Sequence, residues 1–356
     1  MTSLLQRIGV ALPIIQAPMA GTSTPAMAAA VTNAGGLGSI GVGAVKAGGA
    51  RTMITALREG TRGPFNVNVF CHAPATPDPV REAAWLAALK PEFERYRAQP
   101  PATIGEIYTS FLADPDMVDL FVETRPAVVS FHFGLPSPQV IARLKAAGIV
   151  LFSSATNLDE AEQAAAAGVD AIVAQGWEAG GHRGVFDPAA PDGQMGVLAL
   201  TRLLVDKQAL PVIAAGGVMD GAGIAAVLDL GAVAAQLGTA FIACPESSAD
   251  VFHREALFGA GAAMTEMTAL ISGRLARCLP NRFTALKDAL GGVAPPDYPI
   301  VYDAGKALAA AAKAKGDGGY GAQWAGQGAP LARVLPAGDL VATLAEELAA
   351  ARARRD

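Results

Sequence analysis

Glycine-rich turns and one histidine are the residues of this sequence that are best placed to do chemistry. Residues 175–184 read QGWEAGGHRG, and their glycines let the backbone approach a ligand closely while the turn presents His182. Two more glycine turns, Gly216-Gly217 and Gly238, each follow a short apolar run. Free backbone N–H groups in such turns bind anions, phosphate among them. The pattern indicates a phosphorylated ligand beside an imidazole.

Other catalytic arrangements of these residue types are missing from the sequence. The histidines His72, His132, His182 and His253 show no HxxxH spacing, so we predict no metal site. No GxSxG elbow is present, and no GxGxxG turn follows a strand in a βαβ context. We therefore predict that a phosphorylated cofactor supplies the chemistry. His132, flanked by phenylalanines, fits a packed role and a ligand-facing role equally well.

Eight short apolar runs must position these residues, because an amphipathic stretch of helical period follows each of them. This alternation predicts βα units and a parallel sheet. Eight such units in a chain of this length predict an α/β fold, the (β/α)8 TIM barrel, whose strand carboxyl ends carry the active site. The strands are predicted at residues 14–17, 37–40, 65–69, 128–131, 150–153, 171–174, 212–215 and 234–237.

Helix ends are also marked in the sequence. Thr24 before Pro25 predicts an N-cap, and the residues NAGG at 33–36 predict the end of the same helix. Asn157 and Glu160 together predict a capping box at the start of another helix, which Gly168 ends.

Two regions interrupt the barrel rhythm. A helical insertion is predicted at about residues 73–126, with segments at 80–98 and 104–112. Residues 245–328 show no strand pattern, and helical stretches around 249–258 and 264–272 predict a smaller helical addition that caps the barrel mouth. The predicted division is a barrel at 1–244, a helical capping and substrate region at 245–328, and a C-terminal helix within 329–356 that returns to the barrel.

Composition excludes several functions. A net charge of −5 and a pI near 5.5 leave no basic footprint for nucleic acid. Cys71, Cys244 and Cys278 form no CxxC pair, which predicts buried apolar thiols in a reducing compartment. No signal-peptide pattern and no membrane-spanning run are found. We expect a cytoplasmic enzyme without nucleic-acid or membrane partners, as a monomer or homodimer.

Four segments resemble class I nitronate monooxygenases, formerly called 2-nitropropane dioxygenases. They are residues 17–25 (APMAGTSTP), 65–68 (FNVN), 129–136 (VSFHFGLP) and 175–184. GGHRG together with FHFGLP is specific, whereas APM and AAGG recur in other FMN barrels such as enoyl-carrier-protein reductases and inosinate dehydrogenases. The resemblance runs through the whole barrel and implies FMN as the cofactor.

The resemblance also implies a role for individual residues. His182 would face the flavin and the substrate. Side chains from the insertion, the barrel and the capping region would bind the substrate. The implied FMN contacts are Met19, Asn68, Gln175, Gly180, Gly181, Gly217, Gln236, Gly238 and Thr239, and the implied substrate contacts are Tyr108, His132, Tyr298, Tyr302 and Lys306.

Three of these substrate contacts also follow a pattern of their own. Tyr298, Tyr302 and Lys306 recur at intervals of four, so on one helix with Pro299 in its first turn they would share a face. Their hydroxyls and ammonium group suit a small anion, although a solvated helix explains the spacing as well. Where the family places a tyrosine after the eighth strand, this chain reads VFHR at 251–254.

The implied reaction is the oxidation of alkyl nitronates such as propionate 3-nitronate by dioxygen. It would pass through a flavin semiquinone to a carbonyl compound and nitrite, a route of nitroalkane detoxification. An FMN-dependent NAD(P)H:quinone or enoyl reductase on the same barrel is the nearest alternative. A sugar-phosphate lyase or isomerase without a redox cofactor, and a flavin-binding protein without turnover, are further alternatives.

Overall fold

A parallel barrel forms the body of the molecule in the computed structural model, which describes residues 3–290 and 292–354. Its strands neighbour one another in the order β1-β9-β8-β6-β5-β4-β3-β2, and the bridge between Ile15 and Leu37 brings β1 back to β2. The strands are β1 (Ile14–Gln16), β2 (Gly38–Gly41), β3 (Phe65–Phe70), β4 (Val128–His132), β5 (Val150–Ala155), β6 (Ala171–Gln175), β7 (Gly181–His182), β8 (Val212–Ala215), β9 (Ala234–Leu237), β10 (Glu266–Thr268) and β11 (Ala276–Cys278). Every predicted barrel strand is confirmed, and the predicted α/β TIM barrel with it.

Helices surround the barrel and extend beyond it. The α-helices are α1 (Leu4–Ile8), α2 (Pro25–Asn33), α3 (Ala47–Gly60), α4 (Pro79–Arg95), α5 (Pro115–Thr124), α6 (Pro138–Ala146), α7 (Leu158–Ala167), α8 (Val197–Lys207), α9 (Gly221–Asp229), α10 (Val251–Leu257), α11 (Ile300–Lys313) and α12 (Ala337–Ala353). Short 3-10 turns lie at Phe111–Ala113, Thr239–Phe241, Ala260–Met264, Thr284–Lys287 and Ala329–Leu331.

The predicted helix ends are largely confirmed by side-chain caps. Thr24 accepts a hydrogen bond from the Met27 amide at the start of α2, with Pro25 in the first helical position. Asn157 accepts from the Glu160 amide, and Gly168 ends α7 in the left-handed conformation. The second half of the predicted capping box is wrong, because the Glu160 carboxylate binds Thr156 and the Phe186 amide instead.

The insertion contains α4 and α5, and its middle departs from the prediction. Residues 104–110 form no helix, and only Phe111–Ala113 makes a 3-10 turn. Tyr108 therefore lies on an irregular segment. Its neighbours find hydrogen-bond partners outside the segment: Gly105 N–H donates to Asp303 and the Ser110 hydroxyl donates to the His72 carbonyl. These distant partners replace the local bonds of a helix.

The region after β9 is not purely helical, which corrects a second prediction. Residues 266–268 form β10 where a helix over 264–272 is predicted, and β10 pairs with β11 in antiparallel fashion. β11 also pairs with β7, so Ala276 lies opposite His182. The three-stranded sheet joins the capping region to the loop that follows the sixth barrel strand. Residue 291, which lies in the predicted capping region, is outside the described residues.

The C-terminal helix closes the outside of the barrel. α12 packs its buried leucines against α2 and α9, and these contacts belong to one apolar cluster with Ile14 and Leu237. The predicted returning helix is thus present. All three cysteines are buried and free, as predicted.

Candidate active site

One large cavity opens at the carboxyl ends of the barrel strands, under the capping region. Its volume is about 540 Å3, which is within the usual range for a cofactor or small-molecule site. Every residue that the sequence predicts for cofactor or substrate contact lines it: Met19, Asn68, Tyr108, His132, Gln175, Gly180, Gly181, His182, Gly217, Gln236, Gly238, Thr239, Tyr298, Tyr302 and Lys306. The structure therefore brings all of these residues together, and their individual roles remain predictions.

The glycine turns after β8 and β9 form one end of the cavity. Gly217 has φ +70°, and a Cβ there would lie 3.1 Å from the Cβ of Glu178. The amides of Gly217 and Gly238 donate to no acceptor within the described ranges 3–290 and 292–354. Two unpaired N–H groups at neighbouring strand ends suit an anion such as a phosphate monoester.

A long loop holds this end of the cavity in place. The Glu178 carboxylate accepts from the Val197 amide at 2.8 Å, at the start of α8, and its carbonyl accepts from Gln327 N at 2.9 Å. Gly326 N donates to the Thr239 hydroxyl at 2.9 Å. The glycine-rich segment before residue 329 therefore ties the loop of residues 175–184 and the turn after β9 to the capping region.

Two barrel amides form the polar wall of the cavity. Asn68 Nδ2 donates to Ser130, at 3.1 Å to its carbonyl and 3.0 Å to its hydroxyl. Gln175 uses both ends of its amide on the histidine loop: Nε2 donates to the His182 carbonyl at 2.9 Å, and Oε1 accepts from Gly184 N at 2.7 Å. Gln175 therefore fixes the backbone on both sides of Arg183, next to the cavity that it lines.

His182 lies where the barrel loop meets the capping region. Four aromatic rings meet it edge-on, and the distances between ring centroids are 5.1 Å to Trp324, 5.5 Å to Tyr298, 5.7 Å to Phe133 and 6.4 Å to Tyr302. Burial, with smaller electrostatic contributions from His132, Arg274 and His72, lowers the pKa of His182 to about 3. The imidazole is therefore neutral at physiological pH.

His132 supports the backbone of the histidine loop. Its Nε2 lies 3.3 Å from the His182 carbonyl, which can only accept, and its Nδ1 lies 2.7 Å from the Ser154 hydroxyl. Burial lowers the pKa of His132 to about 4. Both ring nitrogens are thus engaged inside the protein, although the ring also lines the cavity.

The capping region contributes a cationic and hydroxyl-bearing wall. Lys306 Nζ lies over the rings of Tyr108 and Tyr302, at 4.6 Å and 5.1 Å from their centroids, which is cation–π distance. Burial lowers the pKa of Lys306 and raises the pKa of Tyr302 to about 12, so the hydroxyl stays a neutral donor. Tyr302 and Lys306 lie on α11, whereas Tyr298 precedes it because Pro299 is the N-cap, which corrects the predicted single helix.

The sequence does not predict four residues that line the cavity or support it. Trp324 and Gln323 line the cavity from the glycine-rich segment, while Ser272 and Arg274 hold His182 and Phe133 from behind. No spacing or motif marks them, because they reach the site only through the cap's folding over the barrel. Within the described residues, no group of histidines, cysteines and carboxylates suits a metal ion, and no helix is long and apolar enough to cross a membrane.

Comparison with known proteins relates this chain to nitronate monooxygenases by sequence. A sequence profile described as nitronate monooxygenase matches residues 2–347. A nitronate monooxygenase of Paraburkholderia phytofirmans is 65% identical over 346 residues, 97% of this chain and 94% of the relative. One of Pseudomonas aeruginosa is 56% identical over 342 residues, 96% of this chain and 97% of the relative.

Solved structures give similar results. A nitroalkane oxidase from Streptomyces ansochromogenes superposes with a TM-score of 0.90 at 42% identity, over 99% of this chain and 100% of that one. FabK from Thermotoga maritima superposes with a TM-score of 0.75 at 27% identity, over 100% of this chain and 98% of that one. The similarity to both covers the barrel and the capping region together.

Proposed function

The chain belongs to the nitronate monooxygenase family of oxidoreductases, and we propose that it oxidises small alkyl nitronates with FMN and dioxygen. The products would be a carbonyl compound and nitrite, as the resemblance implies. Propionate 3-nitronate is the proposed model substrate because it carries a second negative charge.

The residues of the cavity fit FMN. The unpaired amides of Gly217 and Gly238 would donate to its phosphate, and the left-handed backbone at Gly217, where a Cβ would lie 3.1 Å from the Cβ of Glu178, favours glycine. Met19, Gly180, Gly181, Gln236 and Thr239 line the path from these turns to His182, while Asn68 and Gln175 present amides along it. FMN, when bound, would supply the electron-accepting chemistry that protein side chains lack.

The capping wall would bind and orient the anion. Lys306 carries a positive charge with no ion pair to a carboxylate in the described part of the chain, so a carboxylate-bearing nitronate can take that place. Tyr108, Tyr298 and Tyr302 keep their protons because burial raises the pKa of each, and they can donate hydrogen bonds to nitro or carboxylate oxygens. Phe133 and Trp324 exclude water around His182.

His182 would face the reacting carbon with a neutral imidazole. A neutral ring can accept a proton or donate one hydrogen bond, and it adds no charge that would hold the product. The lowered pKa of His182 favours the neutral ring, which can serve as a donor, for the unliganded enzyme. His132 and Gln175 would keep the His182 backbone in place.

The observation that carries this proposal is the single cavity that joins two unpaired glycine amides to His182 and Lys306. The test is a visible spectrum of the purified protein, followed by oxygen uptake and nitrite release with propionate 3-nitronate. Yellow protein with both activities supports the proposal. Colourless protein that stays colourless with added FMN would refute it.

The similarity to FabK makes an NAD(P)H-dependent reductase worth a separate arm of this experiment. NADH is added to the yellow protein without air. Bleaching by NADH together with no oxygen uptake on nitronate would favour the reductase, whereas indifference to NADH with rapid uptake supports nitronate oxidation.

A further inference from the structure

The side chain of Phe70 forms part of the wall of two cavities. Phe70 is the last residue of β3 and lines the active-site cavity together with Ala44 and Tyr108. It also lines a second, small cavity of about 10 Å3, which lies between the ends of β2 and β3 and the insertion. Neither the proposed FMN contacts nor the proposed substrate contacts include Phe70.

The small cavity is lined mainly by carbon. Its buried apolar side chains are Val42, Val69, Phe111 and Met117. The carboxylate of Asp114 also borders it, but Oδ1 already accepts a hydrogen bond from the Met117 amide at the start of α5. A water molecule is stable in such a space only with two to four polar partners. The cavity therefore suits a hydrocarbon group better than it suits water.

The Phe70 ring is held from two sides. A Cβ at position 43 would lie 2.5 Å from the ring, so Gly43 lets the ring lie directly against the backbone of the turn after β2. On the side of β4, the ring centroids of Phe133 and His132 lie 5.2 Å and 6.2 Å from that of Phe70. The ring is thus packed between the ends of two strands.

Phe70 belongs to the same apolar cluster as the proposed anion wall. Ala44 and Phe70 pack against the cluster that contains Tyr108 and Tyr298. Lys306 Nζ lies over the ring of Tyr108. A nitronate whose anionic group binds at Lys306 can therefore place its alkyl chain against Ala44 and Phe70, where burial of each methylene group stabilises the complex.

We propose that Phe70 determines substrate specificity: its ring ends the part of the cavity that takes the alkyl chain, and so limits the chain length of the substrate. This inference rests on the proposed function and names its substrates as short-chain nitronates. Because the small cavity adjoins the same ring, one side chain sets the limit. Removal of the ring would join the two cavities and open an apolar path for a longer chain.

The first test measures binding and does not depend on turnover. Straight-chain carboxylates from propanoate to decanoate, which share the charge and the planar oxygen pair of a nitronate, are titrated into the protein as purified by calorimetry. In the wild type, affinity should rise about fourfold per methylene up to a limiting length and no further.

In Phe70→Ala the limiting length should increase by about two methylenes. A carboxylate of the new limiting length should bind about fifteenfold more tightly than in the wild type, relative to propanoate, which is the value of two buried methylenes. Phe70→Trp, which fills the end of the cavity, should shift the limit to a shorter chain and serves if Phe70→Ala does not fold. The same limiting length in the wild type and in either variant would overturn the proposal.

A substitution on the far side of the small cavity tests whether the longer chain enters it. Val45 lines this cavity and is 40% exposed, so a tryptophan there can fill the space without replacing a buried side chain. Val45→Trp alone should keep the wild-type limiting length. Combined with Phe70→Ala, it should remove part of the gain. An undiminished gain in the double variant would contradict the joining of the two cavities.

Turnover of straight-chain nitronates keeps the two proposals apart. In each protein, kcat/KM should show the same limiting length as the carboxylate affinities. A wild type that oxidises no nitronate would refute the proposed function, and the calorimetric series would still decide the role of Phe70. If no carboxylate binds, the nitronate series decides that role, and parallel profiles in the wild type and Phe70→Ala would overturn it. A protein that neither binds carboxylates nor oxidises nitronates would refute both proposals.

Discussion

The two walls of the cavity are built by different means. The barrel wall consists of backbone groups at strand ends, such as the amides of Gly217 and Gly238, and of short amides such as Asn68. The capping wall consists of long side chains, Tyr302 and Lys306, that reach the cavity from a helix. A backbone wall suits a cofactor of constant shape, and a side-chain wall can vary with the substrate without disturbing the strands.

His182 is held by both walls of the cavity. Its main chain pairs with β11 of the cap, while Gln175 and His132 of the barrel bind its carbonyl. The ring is then oriented from the cap by Ser272. The residue proposed for the chemistry therefore depends on the register between barrel and cap.

Removing the shared residue should have the largest effect. His182→Ala deletes the neutral acceptor and donor between the walls but leaves the glycine amides intact. We expect turnover of propionate 3-nitronate to fall about a hundredfold, a usual effect of removing one positioned hydrogen-bond donor from a site where charge develops. The FMN content, read from the visible spectrum of the same sample, should be unchanged. Wild-type turnover in this variant would remove His182 from the mechanism.

The packing of His72 between the barrel and the cap should make the free energy of unfolding depend on pH. His72 follows β3 and packs edge-on against Tyr298 of the cap, and neither ring nitrogen has a hydrogen-bond partner in the described structure. Burial, together with the charge of Arg274, lowers its pKa to about 4. The unfolded chain takes up this proton near pH 6.5 and the folded chain does not, so stability is present above pH 6.5 and is lost as the pH falls toward 4.

His72→Phe should remove this contribution. Between pH 7 and pH 5, the free energy of unfolding of the variant should fall by about 2 kcal/mol less than that of the wild type. Urea denaturation of both proteins at the two pH values measures the difference. His132 and His182, whose pKa values are also lowered, remain in both proteins and cancel in the comparison. Equal losses in the two proteins would show that His72 titrates normally in the folded state.

The sequence predicts the secondary structure of the barrel wall, but it does not predict that of the cap. Every barrel strand was predicted because each is an apolar run that ends in a turn residue, a local signal. The segment 264–272 has apolar residues at helical spacing, yet 266–268 pairs as β10 with β11, which in turn pairs with the histidine loop. Ser272 reaches His182 only through that pairing. The segment 104–110 likewise finds distant hydrogen-bond partners, Asp303 of the cap for Gly105 and His72 after β3 for Ser110, which no local pattern encodes.

A matched pair of glycine variants tests the backbone wall. Gly217→Ala places a Cβ on a left-handed residue 3.1 Å from the Cβ of Glu178, so the unpaired amide must move. We expect FMN affinity to fall about tenfold, the value of one hydrogen bond to a charged group. Gly168→Ala has the same backbone strain at φ +92° but meets nothing within 4 Å. It should lose about 1 kcal/mol of stability and no FMN affinity.

Gly168→Ala is the control that separates a loss of FMN affinity at the anion site from general backbone strain. FMN affinity is measured by fluorescence titration of the apoprotein, and stability by thermal unfolding of both variants. Equal FMN affinities in Gly217→Ala and Gly168→Ala would mean that the turn after β8 does not bind the phosphate.

Substitution of two lysines that line the same cavity tests the capping wall, and we expect these variants to show the smallest effect. Lys306 faces the tyrosine rings without a carboxylate partner in the described residues, whereas Lys313 is paired with Asp250. Lys306→Met should raise KM for propionate 3-nitronate about fivefold, the effect of one partly solvated ion pair, and leave KM for ethyl nitronate nearly unchanged. Lys313→Met should change neither, because its charge is already neutralised. If Lys306→Met raises both KM values equally, the lysine shapes the cavity instead of binding the carboxylate, and the capping wall selects substrates by size.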